Sequence, residues 1–203
     1  MSDIGNIFFG EKPESVSWDD IHEVLWKAHE QNRADGMKML YPSLPGNELE
    51  ILLGSSGHCF VAMVGDKVVG TSSYKPVRRN NWYSKGKKTA YCILDGVLPE
   101  YAGKGIHSRL FRIRQSYIEK EGFDLLEMDT AEHNMPIQSI FLKNGSKYVS
   151  FKCYSTGGNY AVILAKWLNS CPFPSWYCKC MFLVHKLYIK LRFKPGYVKR
   201  FGI

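Results

Sequence analysis

Two glycines, Gly103 and Gly105, lie between a strand-like segment and the most regular helical pattern of the chain. The strand-like run ends at Val97, a turn of five residues follows, and Gly103-Lys104-Gly105 leads into the helix. Glycines at a helix start let backbone N–H groups approach an anion closely, and the helix N-terminus adds partial positive charge. The pattern predicts a site for a phosphate-bearing ligand, although both glycines could serve only to permit a tight loop.

A dinucleotide-binding fold is another interpretation of these glycines. That fold needs glycines directly after the strand and a third glycine at the position of Ser108. Here five residues intervene, the third glycine is missing, and a predicted antiparallel hairpin precedes the strand. The sequence therefore disfavours a dinucleotide fold.

The strand before the loop contains a candidate general base. Alternation along the strand would place Tyr91, Ile93 and Asp95 on one face of the sheet. An aspartate in an apolar strand beside Gly96 is a candidate base, because burial of a carboxyl moves its pKa toward the range useful in catalysis. A solvated or hydrogen-bonded aspartate at a strand end is the alternative.

Hydrophobic periodicity predicts the elements that would position these residues. Hairpins on both sides of one βαβ unit predict a mixed α/β sheet, not a doubly wound parallel one. The predicted strands are Ile4–Phe9, His58–Val64, Lys67–Tyr74, Thr89–Val97, Leu125–Thr130, Lys147–Ser155 and Tyr160–Ala165. The predicted helices are Trp18–Glu30 (with Asp19 or Asp20 as N-cap), Asn47–Leu53, Gly103–Glu121 and Pro136–Asn144. The core stripe predicted for the third of these helices consists of Ile106, Leu110, Ile113 and Tyr117.

The run Val97–Ile106 resembles the acetyl-CoA loop of the GNAT acetyltransferase superfamily. The family pattern Arg/Gln-x-x-Gly-x-Gly/Ala falls on residues 102–107, where Ala102 and His107 depart from it. Lys104 would supply part of the positive charge lost at the first position. The His107 side chain would either bond a phosphate or point away.

A second family motif follows the loop. Asn134 opens the run Asn-Met-Pro-Ile-Gln-Ser-Ile-Phe-Leu-Lys-Asn-Gly, which is similar to the family's Asn-x-x-Ala-x-x-x-Tyr-x-x-x-Gly helix. In the family the Asn contacts the pantetheine arm, and the Tyr often protonates the departing thiolate. Here that Tyr is Phe141, which has no proton to donate, so Tyr148, Tyr154 or water would take the role. Taken alone, Asn134 would be a helix cap.

The resemblance covers about residues 50–165 and implies a GNAT-like, mostly antiparallel central sheet with flanking helices. It implies direct attack of an amine or hydroxyl on the thioester of acetyl-CoA, with a backbone N–H near Val97 or Leu98 facing the thioester oxygen. The expected catalytic residues are Asp95, Tyr91 (where the family often has Glu or His) and Tyr148. The expected cofactor-binding residues are Val97, Leu98, Ala102, Gly103, Lys104, Gly105, Ile106, His107, Ser108, Asn134 and Phe141.

Positive charge is concentrated at the end of the chain. The 203 residues include 27 Lys or Arg and 19 Asp or Glu, a net charge of +8. We expect a near-neutral catalytic domain at residues 1–166 and a basic helical extension at residues 167–203. The extension contains no acidic residue, and its basic residues are Lys179, Lys186, Lys190, Arg192, Lys194, Lys199 and Arg200.

The extension contains a predicted helix, Trp176–Phe193, with a basic stripe on a mostly apolar surface. Either it packs on the body or on a second copy in a homodimer, or it lies on an anionic membrane surface. We expect a cytoplasmic protein, free or peripheral to a membrane, because no secretion signal opens the chain and no run reaches the ~18 apolar residues that a span needs.

The acceptor would be a small molecule held by Ala34–Gly46 and by the loop Pro76–Lys88. The basic residues of that loop would suit an anionic acceptor, such as a nucleotide-linked amino-sugar or an acidic glycan precursor; a solvated loop is the alternative. These basic residues are Arg78, Arg79, Lys85, Lys87 and Lys88.

Metal and nucleic-acid functions fit the sequence poorly. The four candidate zinc ligands between Cys171 and His185 follow C-x6-C-x-C-x4-H, whereas zinc sites pair ligands at closer spacing. The tail contains no recognisable nucleic-acid module. We therefore expect no metal and no nucleic acid. The functions that remain are an acyltransferase, a catalytically weak acyl-CoA-binding module, and a membrane-surface protein.

Overall fold

The secondary structure follows the predicted order of elements. The structure, a computed structural model, describes residues 7–34, 44–153 and 160–193. These ranges contain seven strands, six α-helices and one short 3-10 helix, Pro99–Tyr101. The strands are β1 (Ile7–Glu11), β2 (His58–Val64), β3 (Lys67–Val77), β4 (Thr89–Val97), β5 (Leu125–Ala131), β6 (Lys147–Cys153) and β7 (Tyr160–Trp167). The helices are α1 (Trp18–Ala28), α2 (Glu30–Ala34), α3 (Gly46–Leu53), α4 (Ile106–Lys120), α5 (Met135–Lys143) and α6 (Ser175–Arg192).

The chain divides into two compact units. The first consists of residues 1–77 and 90–122, and the second of residues 78–89 and 123–203. The first has the strand order β1-β2-β3-β4, in which β2 pairs antiparallel with β1 and β3. The second has the order β5-β7-β6, in which β7 pairs antiparallel with both neighbours. The predicted fold class, mixed α/β with mostly antiparallel strands, flanking helices and a C-terminal helix, is confirmed.

In the first unit, two glycines mark where helices pack against strands. A Cβ on Gly70 of β3 would lie 3.0 Å from a methyl carbon of Ile106, so α4 approaches the strand closely there. A Cβ on Gly96 of β4 would lie 3.2 Å from the Cβ of Ala28, so α1 covers that position. Because Val97 also points toward the Gly70–Ile106 contact, α1 and α4 lie on opposite faces of the strands.

Helix α1 begins at Trp18, as predicted, but its N-cap lies two residues before the first acidic candidate. Its N-cap is Ser17, whose hydroxyl accepts a hydrogen bond from the backbone N–H of Asp20, at 3.1 Å. The Asp20 carboxylate accepts the Ser17 backbone N–H in return, at 2.8 Å. This is a capping box, so the prediction that Asp19 or Asp20 is the N-cap was wrong. Ser17-x-x-Asp20 was the signal in the sequence.

The buried face of α4 is also rotated from the predicted stripe. Its buried side chains include Ile106, Leu110 and Ile118, as expected for a core face, but also Arg114, which has no exposed surface. Ile113 and Tyr117, which the stripe placed in the core, are only half-buried. The periodicity missed this rotation because an arginine does not count as a core residue unless its partner is known.

The second unit has its own core, and the predicted polar loop forms part of it. Tyr83 is only 2% exposed and belongs to a cluster with Leu125, Val149 and Trp167. Cys178 of α6 belongs to the same cluster, and α6 packs against β6. Part of Pro76–Lys88 is therefore a structural element of this unit.

The cysteines, the candidate metal ligands and the helices bear on disulfide, metal and membrane roles. All six cysteines are free thiols. No group of three or more metal-ligating side chains occurs among the described residues. Across the same ranges, none of the helices combines the length and apolarity that crossing a bilayer requires.

Candidate active site

The loop between β4 and α4 has the backbone shape that an anion site needs. Gly103 and Gly105 have φ angles of +74° and +76°, in the left-handed region. A residue with a side chain would lose about 1–2 kcal/mol of conformational energy there. Gly105 is the N-cap of α4, and because it has no side chain it cannot cap the first backbone N–H groups of the helix. A Cβ at either glycine would meet no atom within 4 Å, so this side of the loop is open.

The residues of this loop fit a diphosphate. The Ala102 backbone N–H is committed to the Pro99 carbonyl, at 3.0 Å, so Ala102 contributes neither that amide nor a long side chain. Lys104 places its ammonium 4.7 Å from the centre of the Tyr101 ring, which holds a positive charge beside the loop. The open glycines and the positive end of α4 form a cradle suited to an anion.

His107 points into the protein, not toward the open side of the loop. Both of its ring nitrogens are buried. Burial lowers the pKa of His107, with Asp95 opposing that effect and Arg114 adding to it. A neutral, inward ring is poorly placed for a phosphate, so the cofactor role expected of His107 would fall to its backbone.

Asp95 belongs to a buried ion pair that the sequence did not predict. Its Oδ1 atom accepts a hydrogen bond from Ser72 Oγ at 2.6 Å and another from Arg114 at 2.6 Å. Arg114 also donates to the Ser73 carbonyl at 3.1 Å. The Asp95 side chain is 17% exposed and that of Arg114 is fully buried. The arrangement is the hydrogen-bonded alternative considered for Asp95, but it leaves the carboxylate partly accessible.

The backbone at Leu94 explains why strict alternation fails along β4. Leu94 has a φ of +56°, the one left-handed non-glycine residue in the described ranges. Asp95 faces α4, because it accepts a hydrogen bond from Arg114 of that helix. The left-handed residue between Ile93 and Asp95 interrupts the regular pleat, so the alternation from which Tyr91, Ile93 and Asp95 were predicted to share a face does not hold here.

One of the two backbone amides expected near the thioester is already hydrogen-bonded within the protein. The Leu98 N–H donates to the Val69 carbonyl at 2.9 Å. The Leu98 amide is therefore committed, and the role remains a prediction for Val97. Tyr91, which was predicted to be catalytic, is buried, with 9% of its surface exposed.

Sequence reasoning missed His29, which reaches the same part of β4. Its Nε2 lies 2.9 Å from the carbonyl oxygen of Asp95 and its Nδ1 lies 3.2 Å from the amide nitrogen of Asn32. A carbonyl can only accept, so Nε2 carries the proton and Nδ1 accepts from Asn32. Burial lowers the pKa of His29, which keeps the ring neutral. A histidine at the C-cap of α1 was the one available signal.

In the second unit, Asn134 occupies the N-cap position of α5 without capping it. Its side chain makes no cap hydrogen bond and instead donates to Thr130 Oγ1, at 3.1 Å. Nearby, the Gln138 amide donates to the carbonyls of Ala131 and Glu132, at 3.0 and 2.8 Å. The Asn134 side chain is therefore held by β5 and is not used for helix capping.

Tyr148 and Phe141 have different environments. The Tyr148 hydroxyl donates to Gln138 Oε1 at 2.8 Å, which ties it to the first half of α5. Burial raises the pKa of Tyr148, and Lys186 opposes the effect, so the phenol keeps its proton at neutral pH. Phe141 is 2% exposed and packs in the core. Tyr154 lies outside the described residues.

The basic loop is only partly available to an acceptor. Arg79 donates to Glu127 at 3.0 Å, and Glu127, 3% exposed, also accepts from the Tyr83 hydroxyl at 2.7 Å. Burial, followed by the Glu127 charge, raises the pKa of Tyr83. The other basic residues of the loop are exposed. Most of the second predicted acceptor segment, Ala34–Gly46, lies outside the described residues.

Comparison with known proteins identifies a matching family and similar folds. The model of the Acetyltransferase (GNAT) family matches residues 18–145. The structure is similar to ribosomal-protein-S18-alanine N-acetyltransferase from Escherichia coli, with a TM-score of 0.61 and 13% identity over 81% of this chain and 96% of that one. A GNAT family acetyltransferase from Staphylococcus aureus gives a TM-score of 0.62 and 16% identity, over 81% and 100% of the chains.

A third similar structure contains the expected ligand. It is a GNAT family acetyltransferase from Elizabethkingia anophelis with acetyl-CoA bound, with a TM-score of 0.59 and 15% identity over 81% of this chain and 99% of that one. At such identities, structural likeness shows the fold alone. No curated protein matches the chain by sequence.

Proposed function

Since the chain belongs to the Acetyltransferase (GNAT) family, we propose that it transfers an acetyl or short acyl group from acyl-CoA to an amine of a small acceptor. The observation that carries the proposal is the loop before α4. Its left-handed Gly103 and Gly105 leave an open side next to an N-terminus that its cap residue does not cover. This geometry supports a diphosphate-bearing donor.

Acetyl-CoA would supply an acyl group activated as a thioester. We assign the backbone of Gly103–Ser108, with the Lys104 charge, to its diphosphate, and the Val97 N–H to the thioester oxygen. Asn134 is assigned to the pantetheine arm, since its side chain does not cap α5.

Proton transfer is assigned to two side chains. Both hydrogen bonds to Asp95 end on Oδ1, so Oδ2 is the oxygen proposed to take a proton from the attacking amine. Tyr91, buried in the same strand, is proposed to line the path of the acceptor. Tyr148, kept protonated by burial, is proposed to give a proton to the departing thiolate in place of Phe141.

The acceptor is proposed to be a small primary amine, with amino-sugars as the first subclass to test. The case for an anionic acceptor weakens because Arg79 is committed to Glu127. A hydroxyl acceptor demands more of the base. An alcohol must lose its proton as it attacks, whereas a neutral amine attacks through its lone pair and can lose the proton afterwards.

A second candidate function is acyl-CoA binding with little catalysis. Three observations favour it: Ala102 has no side chain for the diphosphate, Phe141 is buried, and the Leu98 N–H is already bonded. This function shares the donor site with the first, so donor binding alone does not separate the two.

Release of free CoA thiol separates the two functions. Purified full-length protein would be mixed with acetyl-CoA and a panel of primary amines, amino-sugars and the corresponding alcohols. We expect thiol release that depends on at least one amine, and lower or no release with its alcohol counterpart. Stabilisation by acetyl-CoA without amine-dependent thiol release would favour the binding module; no stabilisation would remove both functions.

A further inference from the structure

Helix α6 has two apolar faces, and only one of them packs on the described part of the chain. The packed face includes Cys178, which is buried, and Phe182, whose ring stacks 4.9 Å from the Tyr148 ring. The opposite side is called here the outer face of α6. Its residues are Trp176, Cys180, Leu183, Val184, Leu187, Tyr188 and Leu191, all exposed.

The outer face is a continuous apolar row. Leu183, Leu187 and Leu191 recur every four residues and are 60%, 62% and 74% exposed. A helix at the surface of a globular protein normally turns polar residues outward. A contiguous exposed apolar row of this kind marks a contact surface.

Basic residues border the outer face, and α6 contains no acidic residue. At 100° per residue, Lys179, Lys186 and Lys190 lie along one edge and Arg192 lies along the other. Lys186 and Lys190 also reach Glu132, at 2.7 and 3.0 Å. That single carboxylate offsets only part of the charge on this helix.

This charge distribution decides between the candidate occupants. Two copies of α6 placed face to face would bring basic edges together with no acidic residue on either helix, which is unfavourable. A bilayer containing anionic phospholipid offers an apolar layer for the leucines and negative headgroups for the basic edges. Trp176 and Tyr188, exposed on the same face, suit the boundary between these two layers.

We propose that the outer face of α6 docks on the surface of an anionic phospholipid bilayer, with the helix lying parallel to the membrane plane. The proposal does not depend on acetyl transfer. Binding combines burial of the apolar row with attraction of the basic edges. It should therefore require phosphatidylserine or a similar lipid and weaken as salt rises.

Flotation of the full-length protein with vesicles tests the proposal. One set of vesicles contains phosphatidylcholine alone, and the other contains phosphatidylcholine with phosphatidylserine. We expect flotation with the second set and much less with the first. Absence of flotation with the phosphatidylserine vesicles at low salt would overturn the proposal.

Point variants then locate the contact. Leu187→Asn should weaken vesicle partitioning at least about tenfold. The matched control is Ile51→Asn, which replaces an aliphatic side chain of the same size at a 76% exposed site on α3 and should leave partitioning unchanged. Lys179→Ala with Arg192→Ala should weaken it about 25-fold, at about fivefold per charge. Lys85→Ala with Lys87→Ala removes the same charge from the exposed loop and should have little effect.

Two results would overturn the assignment. Equal losses from both double variants would mean that net charge, not this helix, drives flotation. A dimer in light scattering that Leu187→Asn dissociates, without lipid-dependent flotation, would assign the outer face to a second copy. Circular dichroism of each variant excludes unfolding as the cause of a loss.

Discussion

Replacing Asp95 by Asn tests the buried ion pair of the first unit. Asp95→Asn removes the charge that faces Arg114, whose side chain is fully buried. Leaving a buried charge unpaired costs about 3–5 kcal/mol, and because Asp95 is 17% exposed we expect a loss of about 3 kcal/mol in the free energy of unfolding. Arg114→Met should cost less, because the carboxylate keeps its Ser72 hydrogen bond and contact with water.

Urea unfolding followed by tryptophan fluorescence measures these costs, provided that the m-value is unchanged. The double variant Asp95→Asn/Arg114→Met should be close in stability to Arg114→Met alone, because the two groups act as a pair. A cost below about 1 kcal/mol for Asp95→Asn, with additive effects in the double variant, would refute the ion pair as a stabilising contact.

The same substitution bears on catalysis if Asp95 takes the acceptor proton. Asp95→Asn should then lower kcat at least ~100-fold under conditions where the variant is folded. Ser72→Ala is the matched control, since it removes one hydrogen bond to Oδ1 but keeps the carboxylate. It should lower the free energy of unfolding by about 1.5 kcal/mol. Equal losses of kcat in both variants would make Asp95 a positioning residue.

Three further outcomes follow from side chains outside the Asp95 pair. Tyr83→Phe removes a donor to the buried Glu127 carboxylate and should cost about 1.5–3 kcal/mol in urea unfolding; a change below about 0.5 kcal/mol would contradict this. Burial lowers the pKa of His29, so the unfolded chain takes up its proton first and the free energy of unfolding should fall as pH drops below 6.5. His29→Gln should flatten that decline, and an unchanged slope would rule out the linkage. Tyr148→Phe should lower kcat about 100-fold with KM retained, whereas Tyr160→Phe, which also loses one hydroxyl bond, should not.

Local patterns were sufficient for most of the fold. Strand β4 was predicted at its observed bounds, and the helix after the loop was predicted as Gly103–Glu121 and observed as Ile106–Lys120. Glycine chemistry, apolar periodicity and turn residues act over a few positions, so the sequence reveals them directly. The same reasoning located the Gly103–Gly105 loop, because its left-handed angles require glycine.

Features that depend on distant partners were not predictable in this way. Arg114 is buried because Asp95, 19 positions earlier, faces it, and no local pattern connects the two. The left-handed backbone at Leu94 is not signalled by a glycine, so the sequence did not reveal that the alternation along β4 is interrupted before Asp95. His29 reaches β4 across 66 positions of sequence. These contacts depend on tertiary packing, which overrides local preference.

Calorimetric titration of acetyl-CoA into matched glycine variants tests the central claim most directly. Gly105 and Gly122 have φ angles of +76° and +69°, and a Cβ at either would meet no atom within 4 Å. Replacement by Ala should therefore cost each variant a similar backbone strain, about 1–2 kcal/mol. We predict that Gly105→Ala weakens acetyl-CoA binding at least about tenfold, 1.4 kcal/mol, while Gly122→Ala binds as wild type does. Equal affinities in the two variants, or no binding by the wild-type protein, would contradict a diphosphate site at this loop.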